Sequence, residues 1–91
     1  MQMAYAVILD EEKARKQFLQ LDKSMQERVA KKLKQLERDD LPSRHLKHGV
    51  PVFVEEVNQY RIIFKTREDL KEKRVGFIGD HKEYEKWFSE Q

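Results

Sequence analysis

The spacing of apolar residues changes period several times along this chain. Met3 to Leu9 (Met-Ala-Tyr-Ala-Val-Ile-Leu) is short, apolar and rich in strand formers, which predicts an opening strand. The spacing then becomes helical. Ala14, Phe18 and Leu21 mark a buried stripe, Asp10 is placed to cap the helix, and Glu11 and Glu12 fall in a first turn where the dipole favours negative charge. Ser24-Met25-Gln26-Glu27 reads as a capping box that opens a second helix. Leu21, Met25, Val29, Leu33 and Leu36 follow at spacings of four, four, four and three, one apolar face on a charged rod. That helix stops before Pro42, because the residue preceding a proline is pushed out of helical geometry. Two helices this close in sequence predict a helical hairpin.

Beyond the basic loop from Leu41 to Gly49, and after Pro51, the period falls to two. Val52–Val57, Tyr60–Thr66 and Lys73–Gly79 read as strands, separated by turns near Asn58-Gln59 and from Arg67 to Glu72. Short connections predict an antiparallel meander. Within the middle strand Tyr60, Ile62 and Phe64 share one face, and Arg61, Ile63 and Lys65 the other. The hairpin needs a sheet to cover and takes the Tyr60 face, leaving Arg61 and Lys65 on an open one. His81 to Ser89 reads as a short last helix with Tyr84, Trp87 and Phe88 at three-and-four spacing. The expected fold is α+β, in the order β-α-α-β-β-β plus the C-terminal helix. An antiparallel sheet of about four strands packs on the N-terminal hairpin in a single domain spanning residues 1–91.

Composition narrows the function classes. With 91 residues the chain is large enough for one modest core. The absence of cysteine excludes a disulfide framework, a thiolate metal site and a thiol nucleophile. No run of eighteen apolar residues and no basic leader is present, so the expectation is a soluble, cytoplasmic protein without a membrane partner. Charged residues make up 40%, yet the net charge is only +2. The positive excess is local: Ser43 to Arg67 holds five basic residues (Arg44, Lys47, Arg61, Lys65, Arg67) against Glu55 and Glu56, with His45 and His48 besides. A patch of this kind points to an anionic ligand.

Arg61 is the strongest candidate for chemistry. A guanidinium in an apolar strand needs a partner. It either pairs with Glu55 or Glu56 across the hairpin, worth roughly 0.2–1 kcal/mol, or offers its fork to a phosphate and to charge developing on a phosphorane-like transition state. His81, just past the Gly79 turn, either carries an imidazole that moves protons near neutral pH or is a solvent-facing histidine at a helix start. Tyr84 is placed to stack on a base, to hold a phosphate through its hydroxyl, or to pack beside Trp87 and Phe88. His45 and His48, three apart without a nearby carboxylate or thiolate, make a poor metal site, so no metal and no cofactor are expected. Nothing resembles a phosphate-cradling glycine loop, a Ser–His–Asp set or paired catalytic carboxylates.

In order and spacing, these features resemble the RelE/ParE superfamily of toxins from type II toxin–antitoxin systems. The resemblance rests on the Ser43-Arg44-His45-Leu46-Lys47-His48-Gly49 loop, the Tyr60-Arg61-Ile62-Ile63-Phe64 strand and the closing Phe77-Ile78-Gly79-Asp80-His81-Lys82-Glu83-Tyr84 segment. It implies a metal-independent mRNA endoribonuclease of the RelE-like interferase branch, acting in the ribosomal A site and inhibiting translation. Arg61 then contacts the scissile phosphate, His81 acts as general acid or base, and Tyr84 lies beside the base or phosphate. Arg44, Lys47, His48 and Lys65 bind RNA. The implied partners are a cognate antitoxin, mRNA and the 30S subunit, with a toxin–antitoxin hetero-oligomer on operator DNA. The alternatives are a ParE-like inhibitor of DNA gyrase, or an inactive member serving as a protein-binding module. Family nucleases often carry lysine or arginine on the preceding strand, where this chain has Val54-Glu55-Glu56-Val57. That departure leaves open a weaker nuclease, a glutamate acting as base, or an RNA path along the loop.

Overall fold

The computed structural model describes residues 5–38, 44–45 and 52–90. Strand β1 (Ala6–Leu9) leads into helices α1 (Ala14–Leu19) and α2 (Lys23–Gln35). A two-residue strand β2 (Arg44–His45) then precedes β3 (Val52–Val57), β4 (Tyr60–Arg67), β5 (Glu72–Asp80) and helix α3 (His81–Ser89). The α+β class and the element order are as expected from the pattern, with β2 added inside the basic loop. Residues 1–4, which include the expected start of the first strand, lie outside the described residues.

The sheet order is β1-β5-β4-β3-β2. Its β2–β5 part is antiparallel, but β1 runs parallel to β5, with Ala6 opposite Glu72 and Leu9 opposite Val75. The sheet is therefore mixed at one edge. A strand followed by helices returns by a crossover rather than a tight turn, and it can join whichever edge is open. Beyond β1, the Gln17 side-chain oxygen of α1 accepts the Ile78 amide at 2.8 Å, so a side chain takes the place of a neighbouring strand there.

Two caps differ from the expected ones. Asp10 does not cap α1 through its side chain. The helix begins one turn later, with no side-chain cap at Lys13, and the Asp10 backbone carbonyl accepts from the Arg15 amide at 2.8 Å. Helix α2 is capped by Asp22, whose carboxylate accepts from Met25 N–H at 2.8 Å, so Ser24 lies inside the first turn. An ionised carboxylate at the N-cap both satisfies an orphan amide and meets the positive end of the dipole.

The hairpin covers the Tyr60 side of the sheet, as the alternation requires. Ala14, Val29 and Leu36 pack with Val57, Ile62, Phe64, Val75 and Ile78, and Phe18, Leu21, Met25 and Leu33 close around them. Lys32 of α2 reaches Glu55 of β3 at 3.6 Å on this side. The other face is not fully open. Ile63 pairs with Phe77 and Phe64 with Val75, which leaves Gly76 as an extra residue, a bulge in β5. Strict alternation from Val75 puts Phe77 under the hairpin; the bulge turns it over. Phe77 joins Val54 and Ile63 in a second apolar cluster, capped by Tyr84 and Trp87 of α3. The last helix is thereby seated on the face that carries Arg61.

Candidate active site on the face beneath the last helix

Strand alternation places Arg61 on the α3 side, directly opposite Glu56 on β3 and Gly79 on β5. Its guanidinium is enclosed on two sides. Glu56 Oε2 lies 3.5 Å from Nη2, and the Tyr84 ring lies against the guanidinium carbon, 5.0 Å from ring centroid to Cζ. Only about a fifth of the Arg61 side chain remains exposed. Tyr84 in turn stacks on Trp87 and Phe88, at centroid distances of 6.2 and 5.9 Å, and Trp87 stacks on Phe77 at 5.4 Å. Tyr84 thus packs beside Trp87 and Phe88, as one of its expected readings has it, and its ring also faces the Arg61 cation.

The last helix starts at a fixed point. Asp80 accepts from the Glu83 amide at 2.9 Å while Glu83 accepts from the Asp80 amide at 2.8 Å, a reciprocal capping box. Gly79 beneath it has no room for a side chain, since a Cβ would sit 2.6 Å from the Phe77 ring and 3.0 Å from Glu83 Cβ. His81 is the first helical residue, two positions past the cross-strand partner of Arg61. Its Nε2 lies 2.8 Å from Glu85 Oε2, one turn further on, and both side chains are more than half exposed. The imidazole therefore has one nitrogen engaged by a residue of its own helix.

The remaining candidates divide. Lys65 is on the same face as Arg61 but four residues along β4, roughly 13 Å away at ordinary strand rise. It sits between Val52 and Arg74 and makes no ion pair with a described residue. Arg74, which the sequence pattern did not single out, is its neighbour and is held by Glu72 at 3.0 Å. Period-two alternation from Val75 was the signal that could have found it. Arg67 at the strand end forks onto Asp69 at 2.9 and 3.2 Å, which holds the Asp69 carboxyl below its ordinary range. Arg44 occupies the register position opposite Val54. Lys47 and His48 lie outside the described residues. Glu85, the partner of His81, was also missed, although four-residue spacing on a helix was enough to reveal it. Among the described residues no cluster of three or more His, Cys, Asp or Glu is placed to hold a metal ion.

No family model matches the chain, and no curated protein matches it by sequence. Solved structures do match. The isolated E. coli RelE toxin superposes with a TM-score of 0.73 at 19% identity, over 96% of this chain and 98% of that one. The fold is that of RelE toxins. The intact E. coli RelBE toxin–antitoxin complex gives 0.72 at 21% identity, over 85% and 96%. The archaeal RelE–RelB complex from Pyrococcus horikoshii gives 0.70 at 16% identity, over 86% and 96%. The RelE-like scaffold therefore spans nearly the whole chain in both directions, and its shape is kept where sequence similarity is low.

Proposed function

We propose that the protein is the toxin of a type II toxin–antitoxin pair, a metal-independent endoribonuclease that cuts mRNA, with the ribosomal A site as its workplace and loss of translation as its effect. The observation that carries this reading is Arg61 held under the Tyr84 ring, opposite Gly79 just before the start of α3, on a RelE-like scaffold. Several solved neighbours are complexes with a RelB antitoxin, which supports a cognate antitoxin as partner.

The chemistry needs little machinery. A base removes the proton of a ribose 2′-hydroxyl, O2′ attacks the adjacent phosphorus, the P–O5′ bond breaks, and the departing oxygen takes a proton. Cyclic phosphate and a 5′-hydroxyl remain. Arg61 supplies fixed positive charge where the phosphorane-like transition state gains negative charge. His81 moves a proton at one end of the displacement. Tyr84 keeps the guanidinium in place and offers a ring to a base. Arg44, Lys47, His48 and Lys65 extend phosphate contacts away from the reacting bond, and the toxin–antitoxin pair binds its own operator DNA.

The test is cleavage of a defined mRNA by purified protein, with and without ribosomes, with the new ends mapped by sequencing. Arg61→Ala and His81→Ala should each remove cleavage and relieve growth arrest while leaving the melting temperature within a few degrees of wild type. Growth arrest that survives both substitutions removes these residues from the mechanism. DNA damage with intact transcripts instead identifies a gyrase inhibitor. The presence of Glu56 on Arg61 favours a second reading, an inactive member that binds a partner protein, and harmless over-expression without an antitoxin would select it.

A further inference from the structure

Adjacent acids on β3 have opposite surroundings. Glu55 faces the hairpin and is held by Lys32 at 3.6 Å, with only 13% of its side chain exposed. Glu56, one residue on, emerges on the other face as the direct cross-strand partner of Arg61. The guanidinium is enclosed, whereas the Glu56 side chain is 47% exposed and forms the solvent-facing lip of the pair. A phosphate approaching Arg61 therefore meets a carboxylate of its own sign. It also meets a cation whose charge is already partly neutralised. At 3.5 Å the pair is longer than the roughly 2.7–2.9 Å of a strong charge-assisted hydrogen bond, so it is loose enough to be displaced.

We propose that Glu56 is an internal counter-ion for Arg61, displaced when a phosphodiester binds, and that it sets the affinity of the free protein for RNA. The proposal rests on the RNA-directed reading of this site and makes Glu56 a positioning residue. Seen this way, an acid on the strand next to the arginine holds the guanidinium in place in the absence of substrate and competes with substrate for it. The roof of this arrangement is Tyr84, whose ring limits the directions in which the guanidinium can move once Glu56 lets go.

The test uses the full chain and a fluorescent 2′-O-methyl oligoribonucleotide, which binds but lacks the hydroxyl needed for cleavage. Its dissociation constant is measured over a salt series. Glu56→Gln should tighten binding by about three- to tenfold at low salt, the scale of losing its pair with Arg61 and its repulsion of the phosphate near a surface. The gain should shrink as salt rises, because screening acts on both. In an Arg61→Ala background the same substitution should give no gain. Glu56→Ala serves as a second variant if the glutamine disturbs the strand. Unchanged or weaker binding overturns the proposal, as does an equal gain without Arg61, or the absence of binding by wild type and variant alike. Loss of cleavage by more than about a hundredfold at unchanged affinity also overturns it, because Glu56 then acts as a proton acceptor. Failure of the nuclease reading looks different: the Gln variant binds more tightly through Arg61, yet no form of the protein cuts unmodified RNA.

Discussion

Arg61 is held by two unlike partners, and each makes a separable contribution. The Tyr84 ring covers the guanidinium at 5.0 Å without needing its hydroxyl. Tyr84→Phe should therefore keep RNA affinity within about twofold, whereas Tyr84→Ala should weaken it by roughly five- to fiftyfold, the range of one aromatic contact with a cation or base. Binding of a non-cleavable RNA measures both. If the phenylalanine variant is as weak as the alanine one, the hydroxyl rather than the ring is what matters. Gly79 gives a second prediction at this scale. A methyl group there meets the Phe77 ring at 2.6 Å, so Gly79→Ala should cost about 1–3 kcal/mol in denaturant unfolding. The location of Arg61 on the face away from the hairpin was legible from period-two alternation alone. The choice between Glu55 and Glu56 as its partner was not, because register across the turn had to be known to within one residue. The turn fixes it: Asn58 adopts a left-handed conformation at φ 56°, which places Val57 opposite Tyr60 and hence Glu56 opposite Arg61.

Helix α3 is the element on which the site depends, and none of its residues is fully buried. It is held by its capping box and by Tyr84 and Trp87 lying on Val54, Ile63 and Phe77. Loss of the cap should therefore be felt locally. Asp80→Ala should cost about 0.5–2 kcal/mol, and emission from Trp87, the single tryptophan, should shift to the red before the far-ultraviolet signal of the main fold is lost. Coincident transitions would place α3 inside the main cooperative unit. The bounds of this helix were legible, because glycine, an acid cap and three-and-four aromatic spacing all coincide between Gly79 and Phe88. Its seat on the sheet was hidden by the β5 bulge: a single extra residue at Gly76 reverses the side on which Phe77 points, and a pattern read in strict alternation cannot contain it.

At the scale of the whole molecule, stability resides in the cluster between the hairpin and the sheet. Leu36 is fully buried there, so Leu36→Ala should lower unfolding free energy by about 2–5 kcal/mol. A polar clip closes the same end of the fold. The Tyr5 hydroxyl donates to both oxygens of Glu68, at 2.8 and 2.9 Å, while Lys73 donates to the Arg38 carbonyl at 3.2 Å and lies over the Tyr5 ring. The Tyr5 hydrogen bond, followed by Lys71 and Lys73, lowers the Glu68 pKa below its ordinary value of 4.5. A depressed carboxylate contributes stability that is complete above the unfolded value and is lost as pH falls through the folded one. Thermal stability of wild type should therefore decline below about pH 4.5 more steeply than that of Tyr5→Phe, and parallel curves would show that the clip carries no such linkage.

Local pattern by itself determined the two helices of the hairpin, the last helix, the strands other than β2, the apolar side of β4, and that an arginine must emerge opposite the hairpin. Those properties follow from periods of 3.6 and 2 and need no knowledge of distant neighbours. Tertiary structure decided the parallel placement of β1, the bulge that seats α3 over Arg61, and the division of Glu55 and Glu56 between two faces with different partners. Each of these depends on pairing between segments far apart in the chain, where a shift of one residue exchanges inside for outside. Only the assembled sheet selects among such registers.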